Sequence, residues 1–176
     1  MSRVLYVTGG ARSGKSSFAL QLAARYKHKV FLATAEPFDD EMRSRIGKHQ
    51  AERGEQFITV EEPLYLGRAL SQLPAGTDVV LLDCLTVWAG NLMYYAEGKG
   101  EEHVEQQIEL FLEVLRQPPC DLILVSNEVG MGIVPDNALA RSFRDRAGII
   151  NQRVAAIASE AYLLCSGISI KLKECD

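Results

Sequence analysis

Near the start of the chain stands Gly9-Gly10-Ala11-Arg12-Ser13-Gly14-Lys15-Ser16, directly after an apolar run and directly before a stretch with helical spacing. The eight residues fit G-x-x-x-x-G-K-[ST] in the strand-then-helix setting that this pattern requires. Each residue type has a separate physical reason. Glycines let the backbone curl so that successive N–H groups point inward at phosphate oxygens, and the helix that follows adds its positive end. Lys15 reaches terminal phosphates, and the Ser16 hydroxyl can coordinate Mg²⁺. The chemistry is that of a nucleoside triphosphate held by its phosphates.

Such a site needs a carboxylate on a neighbouring strand to support the metal. Asp83 closes the apolar run Asp78-Val79-Val80-Leu81-Leu82-Asp83, at the edge where ligands of open α/β sheets gather. Capping of the next segment is the plainer role for the same residue. Three other apolar runs end in polar residues: Thr34 followed by Ala35 and Glu36, Ser126-Asn127-Glu128, and Ser166. One edge of the sheet is therefore expected to be polar.

A second cluster lies on a charged stretch with helical spacing. Arg45, His49 and Arg53 stand four residues apart and share one helical face. Flanking cations disfavour the imidazolium, which leaves a neutral, nucleophilic ring between two phosphate-gripping guanidinium groups. Spacing fits an exposed face of mixed charge equally well. After the fourth strand, the stretch from 126 to 155 opens with two glycines and a proline, Gly130, Gly132 and Pro135, the signs of a shaped loop. Asn127 and Glu128 are candidates to orient a substrate hydroxyl, and Arg141, Arg144 and Arg146 to face phosphate; solvated arginines on a connecting helix are the other reading. His28 and His103 lie in polar surroundings and read as surface residues.

The elements that must position these groups follow from periodicity. Apolar runs at 4–8, 29–34, 78–83, 121–126 and 161–166 are continuous rather than alternating, as in strands buried on both faces. Helical spacing appears at 17–26, 39–53, 101–116 and 137–160, with Gly148 as a candidate break in the last. A final alternating run at 168–173 follows a turn at Ser166-Gly167 and adds an edge strand. Strands alternating with helices predict an α/β fold of the P-loop NTPase kind. The expected form is RecA-like: a mostly parallel central sheet, helices on both faces, and one nucleotide-binding catalytic domain over 1–176.

Composition narrows the class. At 176 residues the chain is long enough to bury a core without covalent staples. A formal net charge of -4 argues against a general nucleic-acid binder and against a motor on nucleic acid, which would show a basic stripe. No run approaches a membrane span, and Met1-Ser2-Arg3 enters the first strand without a signal-peptide pattern. Cys84, Cys120, Cys165 and Cys175 contain no CxxC pair, which predicts structural thiols in a reducing cytoplasm. No N-K-x-D guanine-reading motif is present, which disfavours a GTP-dependent switch.

Three blocks together carry a resemblance: "TGGARSGKS", "TAEPFDDEMRSRIGKHQAER" and "SNEVGMGIVPDNALARSFRDRAGIINQRVA". They resemble the bifunctional adenosylcobinamide kinase/adenosylcobinamide-phosphate guanylyltransferase family, and the likeness runs nearly the whole chain to "CSGISIK". The resemblance implies phosphorylation of adenosylcobinamide by ATP or GTP. It then implies transfer of GMP from GTP to adenosylcobinamide phosphate through a histidine–GMP phosphoramidate. His49 is the histidine within the matching block, so that role falls to it, with Lys15 as the second catalytic residue. Nucleotide contacts are implied at Gly9, Gly10, Ala11, Arg12, Ser13, Gly14, Lys15 and Ser16. Further contacts are implied at Thr34, Ala35, Glu36, Gln50, Ala51, Glu52, Arg53, Glu61 and Asp83, with Ser16 and Asp83 holding Mg²⁺. Glu61 stands where the family keeps a carboxylate suited to guanine's N1–H and amino donors, and Glu62 beside it is the competing choice. The resemblance also implies a homo-oligomer, a trimer. A P-loop small-molecule kinase without guanylyl transfer is the alternative reading.

Overall fold

The computed structural model of the chain describes residues 1–37, 40, 43, 44, 47, 51, 56–96 and 98–174. The apolar runs form the middle of a seven-stranded sheet: β1 (Val4–Gly9), β2 (Lys29–Ala33), β4 (Val79–Asp83) and β5 (Asp121–Asn127). In β1 every residue is buried, and alternate side chains go to opposite faces. Val4 and Tyr6 join one core cluster, Leu5 and Val7 the other. That two-sided burial is why these strands read as continuous apolar runs.

With β3 (Phe57–Glu61) at one edge, the strand order is β3-β2-β4-β5-β1-β6-β7, parallel except for the final pair. β1 sits between β5 and β6 (Glu160–Cys165), both far away in sequence. β7 (Ile168–Glu174) is the antiparallel edge strand expected after Ser166-Gly167. Ser166 and Gly167 have φ values of 53 and 80, two successive left-handed residues, as a two-residue hairpin with the strands' twist requires.

The helices divide unequally between the faces. α1 (Lys15–Ala23) covers one face, burying Ala19 and Ala23 against Leu5, Phe31 and Leu81. The other face takes α2 (Leu66–Ser71), α3 (Leu85–Tyr95), α4 (Glu101–Arg116) and α5 (Ala138–Ile157). Trp88 of α3 is fully buried there, with its ring centroid 5.0 Å from that of Phe111, and its indole N–H donates to the Leu64 carbonyl at 2.9 Å. Asp40, Arg43, Ser44, Gly47 and Ala51 also have helical backbone, within the stretch expected to be helical, and all five are exposed. Among the described residues no helix is long and apolar enough to cross a membrane.

Two expectations change. Gly148 does not break α5, which runs unbroken from Ala138 to Ile157. Ala147, Ile150 and Val154 on either side bury into one core, and that packing outweighs the roughly 1 kcal/mol helix cost of a glycine. The run at 161–166 is only half buried as β6, because it lies one strand from the sheet edge. β3 (Phe57–Glu61), α2 and α3 were not foreseen from periodicity.

Candidate nucleotide site

The glycine-rich loop joins β1 to α1 at the carboxyl edge of the sheet, and its glycines are required by contact rather than by flexibility alone. A Cβ on Gly9 would lie 2.5 Å from the Leu164 carbonyl oxygen and 2.6 Å from Ser13 Oγ. Gly14 is left-handed at φ 93, and a Cβ there would stand 3.1 Å from Gly167 Cα. The Ser13 hydroxyl is buried with no hydrogen-bond partner among the described residues. Gly10, Ala11 and Arg12 are exposed at the tip. Lys15 Nζ folds back to within 3.0 Å of the Gly10 carbonyl. Gly14 provides no side-chain cap to α1, whose positive end lies at the loop.

Beneath the loop, Ser16 Oγ and Asp83 Oδ2 are 3.5 Å apart. The register brings them near: Asp83 ends β4 opposite Ala33 of β2 and Val125 of β5, and Val125 in turn pairs with Val7 of β1, two residues before the loop begins at Gly9. Two oxygens from different elements converge here, and the described residues hold no cluster of three metal-ligating side chains. That set fits Mg²⁺, which takes one or two protein oxygens and completes its shell with phosphate and water. Cys84, next along, is buried; burial first, and then the Asp83 charge, pushes its thiol up to about 12.

Behind Asp83 four residues close a ring of hydrogen bonds. The Asn127 N–H donates to Thr86 Oγ1 at 2.6 Å, and Thr86 and Ser126 hydroxyls are 3.1 Å apart. Ser126 donates to Asn151 Oδ1 at 2.6 Å, and Asn151 Nδ2 donates to the Asn127 carbonyl at 3.2 Å. Because Asn127 N–H and Ser126 O–H each have one use, Thr86 must donate to Ser126, and the ring has a single sense. Thr86, Ser126 and Asn151 are buried, so each bond is made where water cannot replace it. The ring fixes Asn127 beside Gly9, its register partner on β1, and Glu128 N–H donates to the Gly9 carbonyl at 3.0 Å.

The other expected site residues divide by what they already hold. Thr34 is fully buried and its hydroxyl exchanges bonds with the Cys84 backbone, at 2.8 and 2.9 Å. Its carbonyl takes the Asn91 amide at 2.8 Å, so Thr34 braces the edge rather than presenting a side chain there. Ala35 is half-buried beside it, and the Glu36 carboxylate receives the Tyr95 hydroxyl at 2.7 Å. Glu61 ends β3 opposite Ala33 and is exposed. Glu62 is occupied: its Oε1 accepts the N–H groups of Leu64 and Tyr65 at 2.9 Å each. Glu128 Oε1 accepts the Gly130 N–H at 2.6 Å. Ala51 is exposed, while Arg45, His49, Gln50, Glu52 and Arg53 lie outside the described residues.

Two of the arginines expected to face phosphate, Arg141 and Arg146, hold protein partners. Arg141 Nη1 donates to the Pro135 and Asp136 carbonyls at 2.8 and 2.7 Å, tying down the loop before its own helix. Arg146 pairs with Glu101 at the start of α4. Sequence reasoning passed over Thr86, Asn91, Tyr95 and Asn151. Asn91 and Thr86 sit in an otherwise apolar helix, where a polar side chain signals a bonded partner.

A family model described as cobinamide kinase / cobinamide phosphate guanyltransferase matches residues 5–172. The chain is 39% identical over 180 residues to the bifunctional adenosylcobalamin biosynthesis protein CobU of Salmonella typhimurium, covering 97% of this chain and 99% of that one. It is 38% identical to the bifunctional adenosylcobalamin biosynthesis protein CobP of Pseudomonas aeruginosa, covering 95% of each. Among solved structures, a protein of Pyrococcus horikoshii OT3 superposes with a TM-score of 0.61 at 9% identity, over 99% of this chain and 87% of that one. A prototypical ATPase from the type III secretion system of pathogenic bacteria superposes at 0.55 and 13% identity, over 96% of this chain and 56% of the other. At those identities the likeness is one of fold alone.

Proposed function

The chain belongs to the cobinamide kinase / cobinamide phosphate guanyltransferase family, and we propose that its loop and sheet edge carry out both reactions of that name on one nucleotide site. In the first, a nucleoside triphosphate phosphorylates the aminopropanol hydroxyl of adenosylcobinamide. In the second, GMP passes from GTP to the resulting phosphate, giving adenosylcobinamide-GDP and pyrophosphate.

The observation that supports this reading most directly is the 3.5 Å approach of Ser16 Oγ to Asp83 Oδ2 under a loop that also carries Lys15. Ser16 and Asp83 would hold Mg²⁺, which neutralises charge on the phosphates when bound. Lys15 offers its ammonium to the outer phosphate oxygens, and the loop's N–H groups hold the phosphates in place. Positioning is most of what phosphoryl transfer needs from a protein, since the nucleotide supplies the leaving group. Asn127, whose backbone the ring holds, would receive the hydroxyl that is phosphorylated, with Glu128 next to it.

Guanylyl transfer needs a nucleophile at the α-phosphorus. In our reading a nitrogen of His49 attacks it and the bond to the β-phosphate oxygen breaks. Pyrophosphate leaves, and a phosphoramidate remains. An oxygen of adenosylcobinamide phosphate then attacks the same phosphorus, the P–N bond breaks, and the imidazole returns. Gln50, Glu52 and Arg53 adjoin that histidine in sequence and would accompany it to the nucleotide. The exposed Glu61 suits guanine's N1–H and amino donors, because Glu62 is already bound to two backbone N–H groups.

The test is intact-mass measurement after incubation with GTP. A GMP adduct is expected on the native chain and none on His49→Ala, with both proteins folded. An adduct that persists in His49→Ala would move the nucleophile elsewhere. No adduct on either, with kinase activity present, would leave a phosphotransferase alone.

A further inference from the structure

The β6–β7 hairpin touches the nucleotide loop at three places, and no role in nucleotide binding has been assigned to it. The Gly167 N–H donates to the Ser13 carbonyl at 2.8 Å. The hairpin also comes up to the two glycines that cannot carry a side chain: Leu164 O faces Gly9, and Gly167 Cα faces Gly14. The turn can reach this far only because Ser166 and Gly167 are both left-handed.

One of these contacts acts directly on the loop's geometry. A trans peptide is planar, and its C=O and N–H point in opposite directions. The Ser13–Gly14 peptide is held by its carbonyl on the hairpin side, so its N–H is turned away from the hairpin. That N–H donates to no partner among the described residues. It is also the last amide before α1, at the helix's positive end. Fixing it in advance removes an ordering cost that a free loop would meet when phosphate arrives.

We propose that Gly167 is a positioning residue for the nucleotide: through its N–H it orients the Ser13–Gly14 peptide, so that the Gly14 N–H faces the phosphates in both reactions. This rests on reading the loop as the phosphate site. The hairpin does not touch substrate, and its contribution is made through the loop.

Cys165 makes a clean test possible. A peptide covering residues 165–176 can be ligated at that cysteine to a thioester of residues 1–164, giving the full chain. Glycolic acid in place of Gly167 then replaces the N–H by oxygen without adding a side chain, at the cost of a weaker acceptor at the Ser166 carbonyl. An ester at Ile170, which pairs with Leu163 away from the loop, controls for lost hairpin stability. Inorganic tripolyphosphate is the probe, by calorimetry, alongside GTP. Both are expected to bind the position-167 ester about fivefold to tenfold more weakly than the all-amide protein, the effect of one backbone bond. The Ile170 ester should bind normally with the same melting temperature as the 167 ester. Equal affinity for the 167 ester and the all-amide protein, with Lys15→Ala abolishing binding, overturns the proposal. If Lys15→Ala leaves tripolyphosphate binding intact, the phosphate-loop reading itself fails.

Should the ester protein not fold, two simple variants serve. Nothing lies within 4 Å of a Cβ at Gly167, so Gly167→Asn keeps the N–H and tolerates the left-handed turn. It should bind as the native chain does. Gly167→Val, whose branched side chain resists φ of 80, should bind tripolyphosphate several-fold more weakly. Equal binding by the two would also overturn the assignment.

Discussion

The Ser16 hydroxyl stands 3.5 Å from Asp83 Oδ2, joining the first turn of α1 to the end of β4. If this pair holds the metal, Asp83→Asn should lower turnover of both reactions by about a hundredfold. GTP affinity measured in EDTA should stay within about twofold of native, since the loop still holds the phosphates. Steady-state rates across a Mg²⁺ series together with calorimetry in EDTA check this. A variant that loses one activity and keeps the other would show that the two reactions do not share the site.

The ring of Thr86, Ser126, Asn127 and Asn151 has one donor direction, and Asn151→Asp should expose it. The new carboxyl keeps the acceptor for Ser126 but turns an oxygen toward the Asn127 carbonyl, 3.2 Å away in the native pair. Protonated, the acid can still donate; ionised, it cannot. Its pKa in the folded chain is therefore raised above the unfolded value, and stability is present below about pH 4 and lost as pH rises through the folded pKa. At neutral pH the loss should be about 1–3 kcal/mol relative to the native chain. Urea unfolding at pH 4.5 and 7.5 reads it. A loss that does not change with pH would mean that cavity or packing effects dominate.

Glu61 and Glu62 are neighbours with different employment, and charge-neutral variants should separate them. Glu61→Gln should lower kcat/KM for guanylyl transfer by about tenfold or more, the loss of a charge-assisted bond to guanine. Glu62→Gln should leave nucleotide choice alone and cost about 1 kcal/mol of stability, because it weakens the bonds to Leu64 and Tyr65. Competition between GTP and ATP in the transfer assay, with thermal melts, measures both. The reverse pattern would exchange their roles.

The thiols should react in an order set by burial. Cys84 is buried with its thiol pushed up to about 12, and Cys120 is buried and pushed up to about 11, burial being the main cause in each. Cys165 is exposed. In a Cys175→Ser background at pH 8, one thiol should titrate rapidly with an aromatic disulfide and two only on unfolding. The raised values also predict that stability falls as pH climbs past the ordinary thiol range toward 11 or 12, because only the unfolded chain can ionise freely. Prompt modification of Cys84 would contradict the packing around α3.

Legibility in sequence followed burial. β1, β2, β4 and β5 were readable because both faces are covered, which leaves a continuous apolar run. β3 was not, since Ile58 and Thr59 are exposed at the sheet edge and its pattern is mixed. α3 escaped for the opposite reason. Its burial of Leu85, Thr86, Trp88, Ala89, Asn91 and Leu92 wraps most of the helix, so no amphipathic stripe survives to be counted. At the site, the loop and Asp83 were legible because their chemistry demands specific residues at fixed spacing. Gly167 was not, because its contribution is a backbone N–H that any residue but proline possesses. The partners of Arg141 and Arg146 were not legible, because a sequence does not say what waits opposite a charge.

The loop between residues 10 and 14 is completed by a turn at residues 166 and 167. A ribosome makes the first of these long before the second, and β1 likewise waits for β5 and β6 to arrive on either side. Non-local pairing of this kind slows folding. A nascent chain emerging from the exit tunnel would hold a phosphate loop that cannot yet take its settled shape, and competence to grip nucleotide would come only once the β6–β7 hairpin had followed it out.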